Sequence, residues 1–374
     1  MGSKMMRAAV YHGARDIRIT EVAVPTPEHG DLLLEIHAVG ICGTDAQEYN
    51  SGPHLHPFKE PHPVTGHMGP VIPGHEFTGR VVGIGPGVDG IKAGDVVASG
   101  AGLSCGMCWQ CRRGRTNICE RYATVGFQRD GALAQYCLVP AAICLPVKTY
   151  GLTEDTAALA QPMAIAVHSM RRGRLTEGET AIIIGVGGIG AFLTFACAQH
   201  GAEVVVADLD AGRLAIAEAL GATQTIQVEQ AGPDLATLVT QAGVNPAVIY
   251  EVSGTASGFT AAMNILPSGG RLVAVGLQHA AREIDLRTQT LAEREIIGTN
   301  ALILRDDLPE ALRLLAARDD SWRDIAPIAL PLDELVSEGL LPIIEGRSGR
   351  IKTLVDPWTE ERRETMMFES LPVR

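Results

Sequence analysis

The sequence predicts an α/β protein in two parts, an irregular mostly-β half and a doubly wound parallel sheet. Three observations carry this. Short β-like runs separated by Gly/Pro turns fill residues 6–146. From about residue 180, apolar runs alternate with segments of helical spacing. Glycine is abundant, 42 of 374 residues against 4% aromatics, as expected of a chain with many tight turns and close backbone approaches. The length suits two or three domains with sizeable cores. Hydrophobic residues at 46% and charged residues at 20% exclude wholesale disorder. A net charge of −12 makes duplex nucleic acid and anionic membranes poor partners and points to a small molecule.

In order along the chain, strands are expected at 7–11, 32–38, 79–84, 95–98, 134–139 and 143–147. Between Asn50 and Pro73 lies a stretch rich in proline and histidine without periodicity, which predicts a long functional surface loop. Apolar runs at 181–185, 204–208, 248–252 and 272–276, with helical spacing over 212–220 and 233–241, predict right-handed βαβ units. Helices follow at 308–316 and near 332–340, then a final strand at 351–355; the tail from Trp358 carries no element. Residues 181–198 form an uncharged apolar run as long as a membrane span. Gly185, Gly187, Gly188 and Gly190 divide it into a strand, a turn and the start of a helix. The N-terminal residues lack the basic-then-apolar pattern of a secretory leader, so the cytoplasm is the default location.

Cys105, Cys108, Cys111 and Cys119 stand at C-x2-C-x2-C-x7-C beside Gly106 and Gly114, a loop able to converge four thiolates on one tetrahedral Zn²⁺. The rival, a disulfide framework, needs an oxidising compartment, and Cys42, Cys137, Cys144 and Cys197 follow no such spacing. A closed four-thiolate site orders its loop and does no chemistry. Cys42, in Gly40-Ile41-Cys42-Gly43-Thr44-Asp45, and His75, in Gly74-His75-Glu76, stand at strand ends and offer two of the ligands a catalytic zinc needs. Taken singly, such a cysteine is more often a small buried hydrophobe and such a histidine a satisfied hydrogen-bonding group. Gly185-Val186-Gly187-Gly188-Ile189-Gly190 fits the dinucleotide turn, with a strand before it, a helix after it and Asp208 ending the next strand. Pyrophosphate would meet the helix N-terminus. Asp208 would accept the ribose hydroxyls and repel a 2′-phosphate, favouring NAD over NADP; Arg213 is the nearby residue that tolerates a phosphate.

These motifs, in this order, resemble the zinc-dependent medium-chain alcohol dehydrogenase superfamily over residues 7–356. Glu48-Tyr49, Pro63-Val64-Thr65-Gly66 and Gln161-Pro162-Met163-Ala164 are similar to its butanediol and sorbitol dehydrogenase branch. The resemblance implies a GroES-like catalytic domain at 1–163 with 304–374 and a Rossmann NAD-binding domain at 164–303. It implies one catalytic and one structural zinc per chain, the latter on the four-cysteine loop. Cys42 and His75 would bind the catalytic zinc, with Glu76 bound or beside it. Gln161 would be an amide ligand where the branch usually has Glu, leaving less negative charge around the metal. Thr44 would hold the substrate oxygen's proton, and Asp45 would fix the tautomer of His75. Ile189 would pack behind the nicotinamide and Lys352 would reach the pyrophosphate. Gln47 stands where most relatives carry a histidine that passes the proton to solvent, and an amide cannot titrate. The implied activity is reversible hydride transfer between NAD and a secondary alcohol, vicinal diol or polyol, by a homodimer or homotetramer acting on alcohol or ketone. Sugar or threonine-type dehydrogenases are the alternatives within the superfamily. A non-catalytic relative that binds NAD and zinc is the alternative of another class, prompted by Gln47 and Gln161.

Overall fold

The computed structural model describes residues 4–229, 231–278, 280–318 and 321–367, and the chain divides into two units, Met1–Ala164 with Leu302–Arg374 and Ile165–Ala301.

The first unit is built on the strand Asp31–Gly40, in which Leu32, Leu34, Ile36 and Ala38 face the core. It pairs antiparallel with Glu76–Ile84, placing Gly40 opposite Glu76, and with Leu354–Val355, placing Leu354 opposite Gly40. In an antiparallel pair one strand's end lies beside the other's start. The register therefore carries residues just after Gly40 against those around Glu76 and against Thr353, whose carbonyl accepts from Ile41 N at 3.0 Å. Tyr136–Pro140, Val96–Ser99 and Cys144–Pro146 join the same sheet, and Ile328–Leu330 and Arg363–Glu364 form its other edge. Phe77, Val81, Leu133 and Val139 fill the core beneath it.

Several expectations shift in position. Met5–Gly13 pairs with a strand at Asp16–Ala23 that the sequence reading lacked, because none of its residues is buried and its apolar pattern is weak. The final strand shortens to Leu354–Val355, since Lys352 N is drawn to Ile325 O instead. The helix expected at 308–316 begins at Leu304, where the Asp307 carboxylate closes the first turn on Ile303 N at 2.7 Å. The helix expected near 332–340 is a 3₁₀ turn followed by a π turn. Of the tail, Arg363–Glu364 is a short strand, and residues 368–374 lie outside the described residues.

The second unit is a six-stranded parallel sheet in the order Gln224–Gln227, Glu203–Asp208, Thr180–Ile184, Val248–Glu251, Arg271–Ala274 and Glu295–Gly298. This is the doubly wound dinucleotide-binding order. Ala181, Ile182, Ile183, Val204, Val206, Val248 and Ile249 are wholly buried. That explains why the central strands read as continuous apolar runs and do not alternate. The two edge strands escaped the sequence reading because they are short and carry exposed Gln224, Gln227 and Glu295. The apolar run at 181–198 resolves into a strand, the glycine turn and the helix Gly188–Gln199. Among the described residues no helix is long and apolar enough to cross a membrane.

Two candidate metal sites and a dinucleotide turn

The sulfurs of Cys105, Cys108, Cys111 and Cys119 lie within 4.8 Å of one another. Cys119 Sγ is 3.5 Å from Cys105 Sγ and 3.9 Å from Cys108 Sγ. A tetrahedron with zinc–sulfur bonds of about 2.3 Å has edges of about 3.8 Å, so the loop fits zinc. All four are free thiols, not disulfides. Backbone N–H groups of Cys105 and Arg121 donate to Cys119 Sγ, and that of Cys108 to Cys105 Sγ, each at 3.3 Å. Donors from the Cys111 and Glu120 backbone pull the Cys108 thiol down to about 6. Burial and the neighbouring sulfurs push Cys111 up to about 12. A cation is what would let all four become thiolates together.

The second site forms where the strand register brings distant residues together. Cys42 precedes the helix Gly43–Ser51, and its N–H donates to Asp45 Oδ2 at 2.9 Å. Across the pair, a Cβ on Gly40 would fall 2.4 Å from Glu76 Oε2, so only glycine leaves room for the carboxylate. Ligand atoms of Cys42, His75 and Glu76 lie within 4.8 Å of one another, with both His75 and Glu76 buried. Thr44 Oγ1, Asp45 Oδ1 and His75 Nδ1 are buried without a hydrogen-bond partner, as is Gln161 Oε1 at the start of the helix Ala160–Arg172. Orphans of this kind are costly, and a cation with a bound oxygen would satisfy Gln161 Oε1 and Thr44 Oγ1. Burial opposes charge on His75, but Asp45 and Cys42 outweigh it and hold its pKa well above the ordinary value. Asp45 Oδ1 faces His75 Nδ1 at 3.5 Å, and the imidazole packs on Phe127 with ring centroids 4.9 Å apart. Sulfur, imidazole and carboxylate in one largely buried cluster suit zinc.

Lys352 has partners that the sequence does not announce. Its ammonium is buried, 2.7 Å from Glu76 Oε1, 2.5 Å from Glu76 Oε2 and 2.9 Å from Ile41 O. The cause is the pairing of Leu354 with Gly40, which carries Lys352 alongside the Glu76 end of the next strand. Burial works against its charge, and Glu76 and Cys42 outweigh burial and raise its pKa. Neither this pair nor the Phe127 contact had a signal in the sequence, because both depend on strand register.

In the second unit, the carbonyl of Gly185 sits 1.9 Å from where a Cβ on Gly190 would be, so the turn tolerates only glycine there. Gly187 precedes the helix opening at Gly188, with open space around its Cα and no side-chain cap on the helix. Asp208 ends its strand and accepts from Val186 N at 2.6 Å and Asp210 N at 3.0 Å, fixing its carboxylate beside the turn. Arg213 lies in the first turn of Ala211–Ala219, its N–H bonded to Asp210 Oδ1, and Ile189 is partly buried in the first turn after Gly188.

Family models for the alcohol dehydrogenase GroES-like domain and for zinc-binding dehydrogenases match residues 28–149 and 188–317. The sorbitol dehydrogenase of Bacillus subtilis (strain 168) is 32% identical over 316 residues, 83% of this chain and 86% of that protein. The chain belongs to the zinc-dependent alcohol dehydrogenase family. Another member, the L-threonine 3-dehydrogenase of Yersinia pestis (strain Pestoides F), is 31% identical over 341 residues, 90% of this chain and 95% of that protein. The crystal structure of 2R,3R-butanediol dehydrogenase from Bacillus subtilis matches with a TM-score of 0.85 at 30% identity, covering 94% of this chain and 99% of that one. Within the family this chain has the GroES-like fold in its first unit and the Rossmann sheet in its second.

Proposed function

We propose that this dehydrogenase reversibly oxidises a secondary alcohol, vicinal diol or polyol to the carbonyl with NAD, as the names of its sorbitol and butanediol relatives suggest. The observation that carries the reading is the convergence of half-buried Cys42 with buried His75 and Glu76. In this reading Cys42 and His75 hold the catalytic zinc, Glu76 binds it or stands beside it, and the orphaned Gln161 Oε1 supplies an amide ligand. When bound, zinc supplies the Lewis acidity that lowers the alcohol's O–H pKa by several units, and NAD supplies the hydride acceptor.

The chain's own residues do the rest. Thr44 Oγ1, buried and unpartnered, accepts the hydrogen bond of the substrate hydroxyl. Asp45 orients His75 from its Nδ1 side. Gln47 cannot take up the proton, so the proton leaves through the cofactor ribose and water or through another group. Gly185, Gly187, Gly188 and Gly190 admit the pyrophosphate, Asp208 and Arg213 meet the adenosine ribose, and Ile189 backs the nicotinamide. The four-cysteine loop holds a structural zinc. Residues 164–303 form the NAD-binding domain and 1–163 with 304–374 the catalytic one, in a cytoplasmic homodimer or homotetramer.

A second reading, oxidation of a 2-amino-3-hydroxy acid, is favoured by the L-threonine 3-dehydrogenase similarity. The test is a panel of secondary alcohols, diols, polyols, sugars and L-threonine followed by NADH absorbance, with NADP in parallel and zinc counted per chain. Two zincs and the highest kcat/KM on a diol or polyol with NAD are expected. One zinc without turnover on any substrate would instead make the chain a binder.

A further inference from the structure

Away from the metal-ligand cluster, Glu154 and Asp155 form an acidic knot that none of the roles above uses. Asp155 has no exposed side-chain surface. Its Oδ2 accepts from Arg363 Nη1 and from Met366 N, each at 2.7 Å; its Oδ1 accepts from Arg363 Nη2 at 2.8 Å and lies 3.1 Å from His37 Nε2. Glu154 Oε2 is 3.0 Å from His37 Nδ1, its Oε1 accepts from Arg80 Nη2 at 2.6 Å, and its carbonyl accepts from Thr78 Oγ1 at 3.0 Å. Arg363 is fixed in turn by Asp356 Oδ2 at 2.7 Å. The chain after Arg363 is pinned further by Thr365 Oγ1 to Ala326 O at 2.6 Å and Thr156 Oγ1 to Met367 O at 3.2 Å.

What the knot joins gives it meaning. His37 lies on Asp31–Gly40, the strand that delivers Cys42. Thr78 and Arg80 lie on Glu76–Ile84, the strand that begins at Glu76 beside His75. Glu154 and Asp155 open the short helix that precedes Gln161. The Cys42-bearing strand therefore meets both acids and the Glu76-bearing strand is bonded to Glu154, the two acids stand just before the helix that carries Gln161, and the Arg363 guanidinium closes the knot on Asp155.

We propose that the C-terminal strap 356–367, through the fork of Arg363 on Asp155, is a positioning device that holds the ligand-bearing segments of the catalytic metal site in register. This rests on reading Cys42, His75 and Glu76 as metal ligands. The planar bidentate fork fixes both distance and angle, which a lysine ammonium cannot do. Arg363 touches no reacting atom and is a positioning residue.

The test compares the zinc-loaded parent with Arg363→Ala, Arg363→Lys and Asp155→Asn. The readouts are the release of each zinc to a chromogenic chelator and the visible absorption of Co²⁺ placed in the Cys42 site. Arg363→Ala should release the Cys42-site metal about tenfold faster and shift the Co²⁺ bands, at the low end of what losing a ligand's supporting partner costs. Arg363→Lys should fall between it and the parent, and the four-cysteine zinc should leave at the parent rate. Parent rates for both metals in every variant would overturn the proposal. So would parallel loss of both metals in Arg363→Lys, because the strap would then be general scaffold. If Arg363→Ala does not fold, Arg363→Lys and Asp155→Asn decide by the same criteria. A parent protein that holds one zinc, on its four cysteines alone, would sink the ligand reading itself and is told apart without any variant.

Discussion

The two candidate metal sites reach the same end by opposite routes. The four cysteines lie within one loop from Cys105 to Cys119, where short turns and backbone N–H donors bring the sulfurs together. Cys42, His75 and Glu76 meet only because two strands pair with Gly40 opposite Glu76, and their counter-ion Lys352 arrives by a third strand. A one-residue slip of that register would turn Glu76 to the other face and leave the cysteine loop untouched. The closed site depends on local chain, whereas the site proposed to react depends on the whole sheet.

Substitutions at the two sites sharpen that contrast. Cys42→Ser should lower kcat roughly a thousandfold, the rate equivalent of several kcal/mol of lost Lewis-acid stabilisation, while zinc content falls from two per chain to one. Cys111→Ser should also remove one zinc, but its main effect should be rapid proteolytic nicking of the loop with a far smaller change in kcat. Equal losses of turnover in the two variants would erase the distinction.

Next comes Lys352→Met, which leaves Glu76 buried without its counter-ion and should cost about 3–5 kcal/mol in urea unfolding. The double variant Lys352→Met with Glu76→Gln should recover much of this. No recovery would mean that the pair is not what holds Glu76.

Gln47→His should introduce an acid limb with an inflection near the ordinary histidine value of about 6.5 in the kcat profile. An unchanged profile would count against the absence of a titrating relay in the parent.

The smallest effect concerns His37. Burial disfavours its charge, but Asp155 and Glu154 outweigh burial and push its pKa up to about 9. A folded value above the unfolded one stabilises fully below about pH 6.5, and that share declines as pH rises through 9. Urea midpoints should therefore fall between pH 6.5 and 9 in the parent, and this component should be missing from His37→Gln.

The cysteine loop, the glycine turn with Asp208, and the two-part α/β organisation were legible in the sequence, because each is written in local spacing or in apolar runs that bury on both faces. Edge strands such as Gln224–Gln227 and Asp16–Ala23 were not, since partial exposure removes the apolar pattern that marks a strand. Cys42 and His75 could be nominated as residues of the right chemistry, but a lone cysteine and a lone histidine carry no address.

The sequence by itself determined which side chains can bind a metal or a dinucleotide, because ligand chemistry and glycine geometry are properties of single residues and short turns. Only the tertiary structure decided that Lys352 neutralises Glu76, and that Asp155, His37 and Arg363 tie the ligand-bearing strands together. Those contacts join segments more than a hundred residues apart through strand register and the packing of a helix on the sheet, which are properties of the assembled fold.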